Sequence, residues 1–180
     1  SLPDAMCVDS TDTLWVVEEF NNRVLRFDSV SSKANGAAAD GVLGQTLFTT
    51  SASGSGSSGM QSPVGIAVSS TGTLFVSNFS GNRIMVFPNA SSLGNGAGAS
   101  RVLGQPTFAT TTSGLSATQL NGPAGIWLTP DDSLWVLEFL NNRVVRYSNA
   151  STSSSGSAAD GVVGQPDFTT NTSTTTNRGL

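Results

Sequence analysis

The sequence predicts an all-β protein made of three sheet units of four short strands each. Landmarks recur at a frozen spacing, the apolar residues fall in short runs bounded by turn residues, and no stretch carries the 3.6-residue apolar period of an amphipathic helix. GVLGQ at 41–45, RVLGQ at 101–105 and GVVGQ at 161–165 stand 60 residues apart, as do Pro3, Pro63 and Pro123, Leu14, Leu74 and Leu134, and Phe48, Phe108 and Phe168. The units therefore occupy 1–60, 61–120 and 121–180, without an insertion or deletion.

Each unit opens with a proline followed by a short apolar strand, over Ala5 to Val8, Gly65 to Val68 and Gly125 to Leu128. A turn holding Thr11-Asp12, Thr71-Gly72 or Asp131-Asp132 leads to a second strand, Thr13 to Val17, Thr73 to Ser77 and Ser133 to Leu137. Asn21-Asn22, Gly81-Asn82 and Asn141-Asn142 then predict a tight hairpin, because Asn and Gly tolerate positive φ. The third strand runs over Arg23 to Phe27, Arg83 to Phe87 and Arg143 to Tyr147, and the VLGQ segment supplies the fourth. Ser/Thr/Gly-rich loops follow at 49–62, 109–121 and 169–180. Their sequences differ and their lengths match, so each is expected to span one fixed distance or touch one fixed neighbour. Four-stranded units at constant period describe the blades of a β-propeller or a comparable repeat sheet.

Composition narrows the function. Only 11% of the 180 residues are charged, where a soluble domain carries about 25%, while serine and threonine number 48. A net charge of −4 excludes the basic face of a nucleic-acid binder. The absence of histidine excludes Ser-His-Asp catalysis and His-ligated zinc. Cys7 has no second cysteine to bridge to, and no apolar run reaches the roughly 20 residues of a membrane span. The chain opens on Ser1, as expected of a processed chain or an excerpt, and Leu180 followed by a further Ser1 would repeat the junctions Met60-Gln61 and Leu120-Asn121.

The blocks Pro63-Val64-Gly65-Ile66-Ala67-Val68, Gly72-Thr73-Leu74-Phe75-Val76-Ser77-Asn78 and Gly81-Asn82-Arg83-Ile84-Met85-Val86-Phe87 resemble the NHL repeat. The resemblance covers the first half of every unit and implies a β-propeller, usually of about six blades. The second half, with its VLGQ-P-x-F segment, is similar to longer variants of such repeats in secreted proteins. Three blades would then be half of a six-bladed ring or a segment of a longer array.

Several residues invite a chemical reading. Arg23, Arg83 and Arg143 could form a ring of cations. The structural alternative pairs each across its hairpin with Glu18, Asn78 or Glu138, giving two ion pairs and a neutral hydrogen bond. Glu18, Glu19 and Glu138 offer carboxylates for glycosidic chemistry, although a shared slot in different units also suits a strand position. Asp40, Asp131, Asp132 and Asp160 are oxygen donors without calcium-loop spacing and are expected to make turns. Trp15, Phe75 and Trp135 share a core slot. Trp127 stands where the other units have Cys7 and Ala67, which marks it as a recognition aromatic. N-x-S/T sequons start at Asn78, Asn89, Asn149 and Asn171. With 13 asparagines and this much Ser and Thr, chance alone supplies roughly 3.5 of them.

These features favour a non-enzymatic, extracellular structural protein that needs no cofactor or metal. Its surface would be covered by copies of itself, in an oligomer or filament, and by N-linked and O-linked glycans, with no nucleic-acid partner and no membrane span. The alternative is a propeller that presents its loops to a protein or carbohydrate ligand.

Overall fold

The computed structural model describes residues 3–177, 179 and 180. Ser1, on which the head-to-tail junction turns, lies outside the described residues. Twelve strands follow in chain order. Blade 1 holds β1 (Pro3–Val8), β2 (Leu14–Glu18), β3 (Arg23–Phe27) and β4 (Gly41–Leu43). Blade 2 holds β5 (Pro63–Val68), β6 (Leu74–Asn78), β7 (Arg83–Phe87) and β8 (Arg101–Leu103), and blade 3 holds β9 (Pro123–Leu128), β10 (Leu134–Glu138), β11 (Arg143–Tyr147) and β12 (Gly161–Val163). Each blade is an antiparallel meander with its strands in chain order. First strands of successive blades lie side by side, as in a propeller.

Local chemistry places the turns. Asp12, Gly72 and Asp132 take φ of 61°, 78° and 63° in the first turn, so only Gly or an Asx residue fits that slot without strain. The second turn is longer than the two-residue hairpin expected. A 3-10 turn covers Glu19–Asn21 and Phe139–Asn141, and only the following asparagine, Asn22, Asn82 or Asn142, is left-handed, at φ near 50°. First strands begin at the proline, two residues earlier than the apolar run suggested, with a register irregularity just after it in blades 1 and 2. The fourth strand stops before the glycine of VLGQ, because Gly44, Gly104 and Gly164 adopt φ of 78° to 87°.

Blades pack face to face through two apolar seams. The first joins Trp15, Val17, Val24 and Leu43 of blade 1 to Ile66, Val76, Met85 and Phe87 of blade 2. The second joins Phe75, Ile84, Val86 and Leu103 to Leu134, Val136, Val145 and Tyr147. Blade 2 is consequently covered on both sides, and all five residues of β6 and of β7 are buried. Blades 1 and 3 each keep one face open. Total exposed area is 8193 Å², close to the roughly 8,200 Å² usual for 18.4 kDa.

Candidate functional site

Each blade carries a guanidinium at the start of its third strand, and the loop after the fourth strand is built around it. Glu138 and Arg143 face each other in register and are both fully buried, with Arg143 Nε donating to Glu138 Oε2 at 2.5 Å. Asn141 Nδ2 and the Asn121 N–H donate to Glu138 Oε1 at 2.7 and 2.9 Å. Burial raises the Glu138 pKa in spite of these partners. In blade 1, Arg23 Nε donates to Glu18 and Asn21 Nδ2 reaches the same carboxylate.

Blade 2 departs from the expected neutral hydrogen bond. Asn78 and Arg83 are paired in register and have no exposure, yet Asn78 Nδ2 and Arg83 Nε lack partners among the described residues. Asn78 Oδ1 is taken by the Gln61 N–H at 2.6 Å, which turns the amide nitrogen toward another donor. The Arg83 pKa is accordingly lowered by burial.

The arginines also fix the loops. Arg83 Nη1 donates to the Phe108 carbonyl at 2.7 Å and Arg143 Nη1 to that of Phe168 at 2.6 Å, and Arg23 does the same to Phe48. A second anchor comes from the glutamine of VLGQ, which composition and spacing had left without a role. Gln45 Nε2 donates to Asn22 O and Ala52 O, Gln105 to Asn82 O and Thr112 O, and Gln165 to Asn142 O and Thr172 O, at 2.8–3.1 Å. Both anchors recur at a spacing of 60, which accounts for hydroxyl-rich loops of equal length. The anchors bind backbone carbonyls, so they set the length of the loop without reading its side chains.

Other sequence-singled residues disperse. Glu18 and Glu138 sit in different blades, each against its own arginine, and do not form a paired-acid cleft. Asp132 accepts from Ser151, Asp40 pairs with Lys33 at 2.8 Å, Asp160 pairs with Arg146 at 2.8 Å, and Asp131 accepts from Thr129 and Ser133. No group of three or more metal-ligating side chains forms among the described residues. Burial, with a smaller push from Asp9, raises the Cys7 thiol to about 12, so it is held as an unreactive thiol. Asn89, Asn149 and Asn171 are exposed. Asn78 is sealed in β6, and a glycan there would require the strand to open. Phe48 is 41% exposed, while Phe108 and Phe168 in the same slot pack against the two seams.

Trp127 is 71% exposed on the open face of blade 3, beside Trp135, Leu137 and Val144. The corresponding positions in blades 1 and 2 lie on seams. Leu180 is 50% exposed, whereas Met60 and Leu120 in its slot are at 0% and 1%. On blade 1 the opposite face is open, with Met6, Val8 and Phe48 exposed.

Polar contacts stitch the rim of each seam in one pattern. The Gly96 N–H donates to Val42 O at 3.0 Å and the Val42 N–H to Asn95 Oδ1 at 3.0 Å. One blade on, the Gly156 N–H donates to Val102 O at 3.0 Å and the Val102 N–H to Ser155 Oγ at 3.2 Å. Arg26 reaches Ser91 O and Leu93 O, and Arg101 reaches Ser151 O. No helix among the described residues is long and apolar enough to cross a membrane.

No family model matches the chain, and no curated protein matches it in sequence. Solved structures do match in fold. Kuenenia stuttgartiensis hydrazine synthase aligns with 93% of the chain at 13% identity and a TM-score of 0.58. A protein described as a 6-phosphogluconolactonase from Bacteroides uniformis aligns with 89% at 16% identity and a TM-score of 0.53. A streptogramin B lyase aligns with 81% at 20% identity and a TM-score of 0.49. The chain spans 37% of the first, 41% of the second and 37% of the third. At these identities the likeness to the hydrazine synthase and to the Bacteroides protein is one of fold, and the fold is a β-propeller.

Proposed function

We propose that the chain is a non-enzymatic NHL-type scaffold module that assembles with copies of itself, works outside the cell and is glycosylated at exposed sequons. The carrying observation is that both end faces present, open, the same slots that the inner seams bury. An apolar sheet face left in water is a liability that a partner removes. Low charge fits the same reading, because little repulsion opposes contact between copies. Asn89 and Asn149 stand on an exposed left-handed turn after the third strand, where a glycan has room. Sedimentation velocity over a concentration series tests the central step. A boundary faster than that of an 18.4 kDa monomer is expected, and 18.4 kDa particles at every concentration would overturn it.

One observation favours the alternative of a ligand-binding propeller. Phe20, Phe139 and Leu140 are exposed at the second turns, and the rings of Phe79 and Phe139 meet at 6.4 Å, so an apolar rim marks one side of the blades. Replacing Phe20, Phe139 and Leu140 by serine would abolish ligand capture on that reading and leave self-association intact.

A further inference from the structure

The unit at 61–120 carries two arginines, Arg83 and Arg101, and neither aspartate nor glutamate. Arg101 lies at the rim of a seam, whereas Arg83 has no exposure, and burial lowers its pKa with no carboxylate opposing the shift. Arg83 Nη1 donates to the Phe108 carbonyl at 2.7 Å, and Nη2 to those of Gly56 and Gly59 at 3.1 Å. Arg143 holds Phe168, Ser116 and Gln119 in the same way and gives its Nε to Glu138. The two blades therefore differ at one donor. Carbonyl dipoles surround the charge of Arg83, and no counter-charge meets its Nε.

Three positions around that donor differ together. Asn78 stands in the slot of Glu138, Gly81 in that of Asn141 and Gln61 in that of Asn121. In blade 3 these side chains form one network, with Arg143 and Asn141 donating to Glu138, and Asn121 Nδ2 donating to Asn141 Oδ1. In blade 2, Arg83 Nε, Asn78 Nδ2 and Gln61 Oε1 are buried and lack partners among the described residues. A Cβ built on Gly81 would lie 3.0 Å from Asn78 Nδ2 and 3.3 Å from Arg83 Nε. Both donors thus border the space that an asparagine side chain takes in blade 3. Buried donors without an acceptor are rare in folded proteins, and two of them beside one glycine call for a third party.

We infer that a small monovalent anion, of the size and charge of chloride, binds between Arg83 Nε and Asn78 Nδ2, where blades 1 and 3 place a carboxylate. Charge selects an anion over a water molecule, because water would leave the buried guanidinium uncompensated in a unit without acids. The few donors satisfy a spherical ion, whereas sulfate or phosphate would bury oxygens without partners. Gln61 completes the site by a half-turn of its amide, which exchanges Oε1 for the Nε2 donor. Every residue involved lies between 56 and 108, so the site belongs to blade 2 with its loops and is independent of self-assembly. The ion is the counter-charge that lets Arg83 hold the Gly56, Gly59 and Phe108 carbonyls, so the order of both loops depends on it.

Urea unfolding at one protein concentration and constant ionic strength, with sodium gluconate exchanged stepwise for sodium chloride, tests this. Once the site is mostly filled, one bound ion should lower the unfolding constant about tenfold for each tenfold rise in chloride. Asn78→Glu combined with Gly81→Asn supplies the carboxylate and amide of blade 3, so that chain should show no such dependence. Indifference of the unaltered chain to chloride would mean that water alone fills the site, and would overturn the inference. An equal dependence in the double variant would place the ion elsewhere and overturn it as well. Crystals of the unaltered chain grown in sodium bromide give a reading that needs no variant. An anomalous peak within hydrogen-bond reach of Arg83 Nε and Asn78 Nδ2 is expected, and a site without bromide in those crystals would contradict it.

Discussion

Arg83 is a buried guanidinium without a carboxylate, in the slot where Arg23 and Arg143 each have one. Its blade differs at two coupled positions, Asn78 for glutamate and Gly81 for asparagine. A Cβ at Gly81 would come within 3.0 Å of Asn78 Cγ, so the smaller residue at 81 accommodates the turned amide. Asn78→Glu with Gly81→Asn should therefore raise unfolding free energy by about 1–3 kcal/mol, with Gly81→Asn alone unfavourable, as a double-mutant cycle in urea would show. Tyr147 raises a similar point, since its buried hydroxyl has no partner among the described residues and Phe27 and Phe87 fill the same slot. Tyr147→Phe should stabilise by about 1 kcal/mol in the same assay, and a loss of stability would reveal an acceptor for the hydroxyl. Asp9 carries the pH dependence of the first turn. Burial opposes its charge, but bonds from Thr11, the Trp15 indole and the Thr13 N–H outweigh burial and hold its pKa below 3.8. A depressed folded pKa gives stability that is complete above the usual carboxylate value and lost as pH falls through the folded one. Unfolding free energy should therefore decline below about pH 4, and Asp9→Asn should flatten that decline.

Among the elements, the loops after the fourth strands show what sequence conveys and what it conceals. Equal length signalled a fixed attachment, and the anchors are the Gln45, Gln105 and Gln165 side chains and the guanidiniums. Gln105→Leu should remove two hydrogen bonds to backbone carbonyls and speed amide exchange and proteolysis across 106–119, while blade strands stay protected. Gly104 is a stricter requirement, with φ of 78° and Leu120 carbon atoms 2.4 Å from the place of a Cβ. The strands themselves were legible because β-branched and aromatic runs at constant spacing leave few alternatives. Their ends were less so: the proline-led start rests on a register irregularity, and the early stop of the fourth strand on a left-handed glycine. The arginine pairs were legible from their five-residue separation across a hairpin. Blade 2 broke the pattern because Asn78 has a single acceptor oxygen and the Gln61 N–H, 17 residues away, takes it, whereas Glu138 accepts the matching Asn121 N–H on one oxygen and Arg143 on the other. Seam residues such as Gly96 and Asn95 were illegible because their partners lie more than 50 residues away.

At the scale of the whole molecule, three blades bury two seams and leave half a seam at each end. Trp127 then takes a different meaning from the recognition aromatic its unusual slot suggested. It is exposed on a terminal sheet face, beside Trp135, Leu137 and Val144. The apolar rim of Phe20, Phe79, Phe139 and Leu140 lies at the second turns, outside the seams, so a ligand there and a partner at the ends would be independent. The mass of the unmodified chain in solution tests this most directly. Native mass spectrometry should find multiples of 18.4 kDa that persist on dilution. A lone 18.4 kDa chain at every concentration would contradict the claim that its end faces are made for one another.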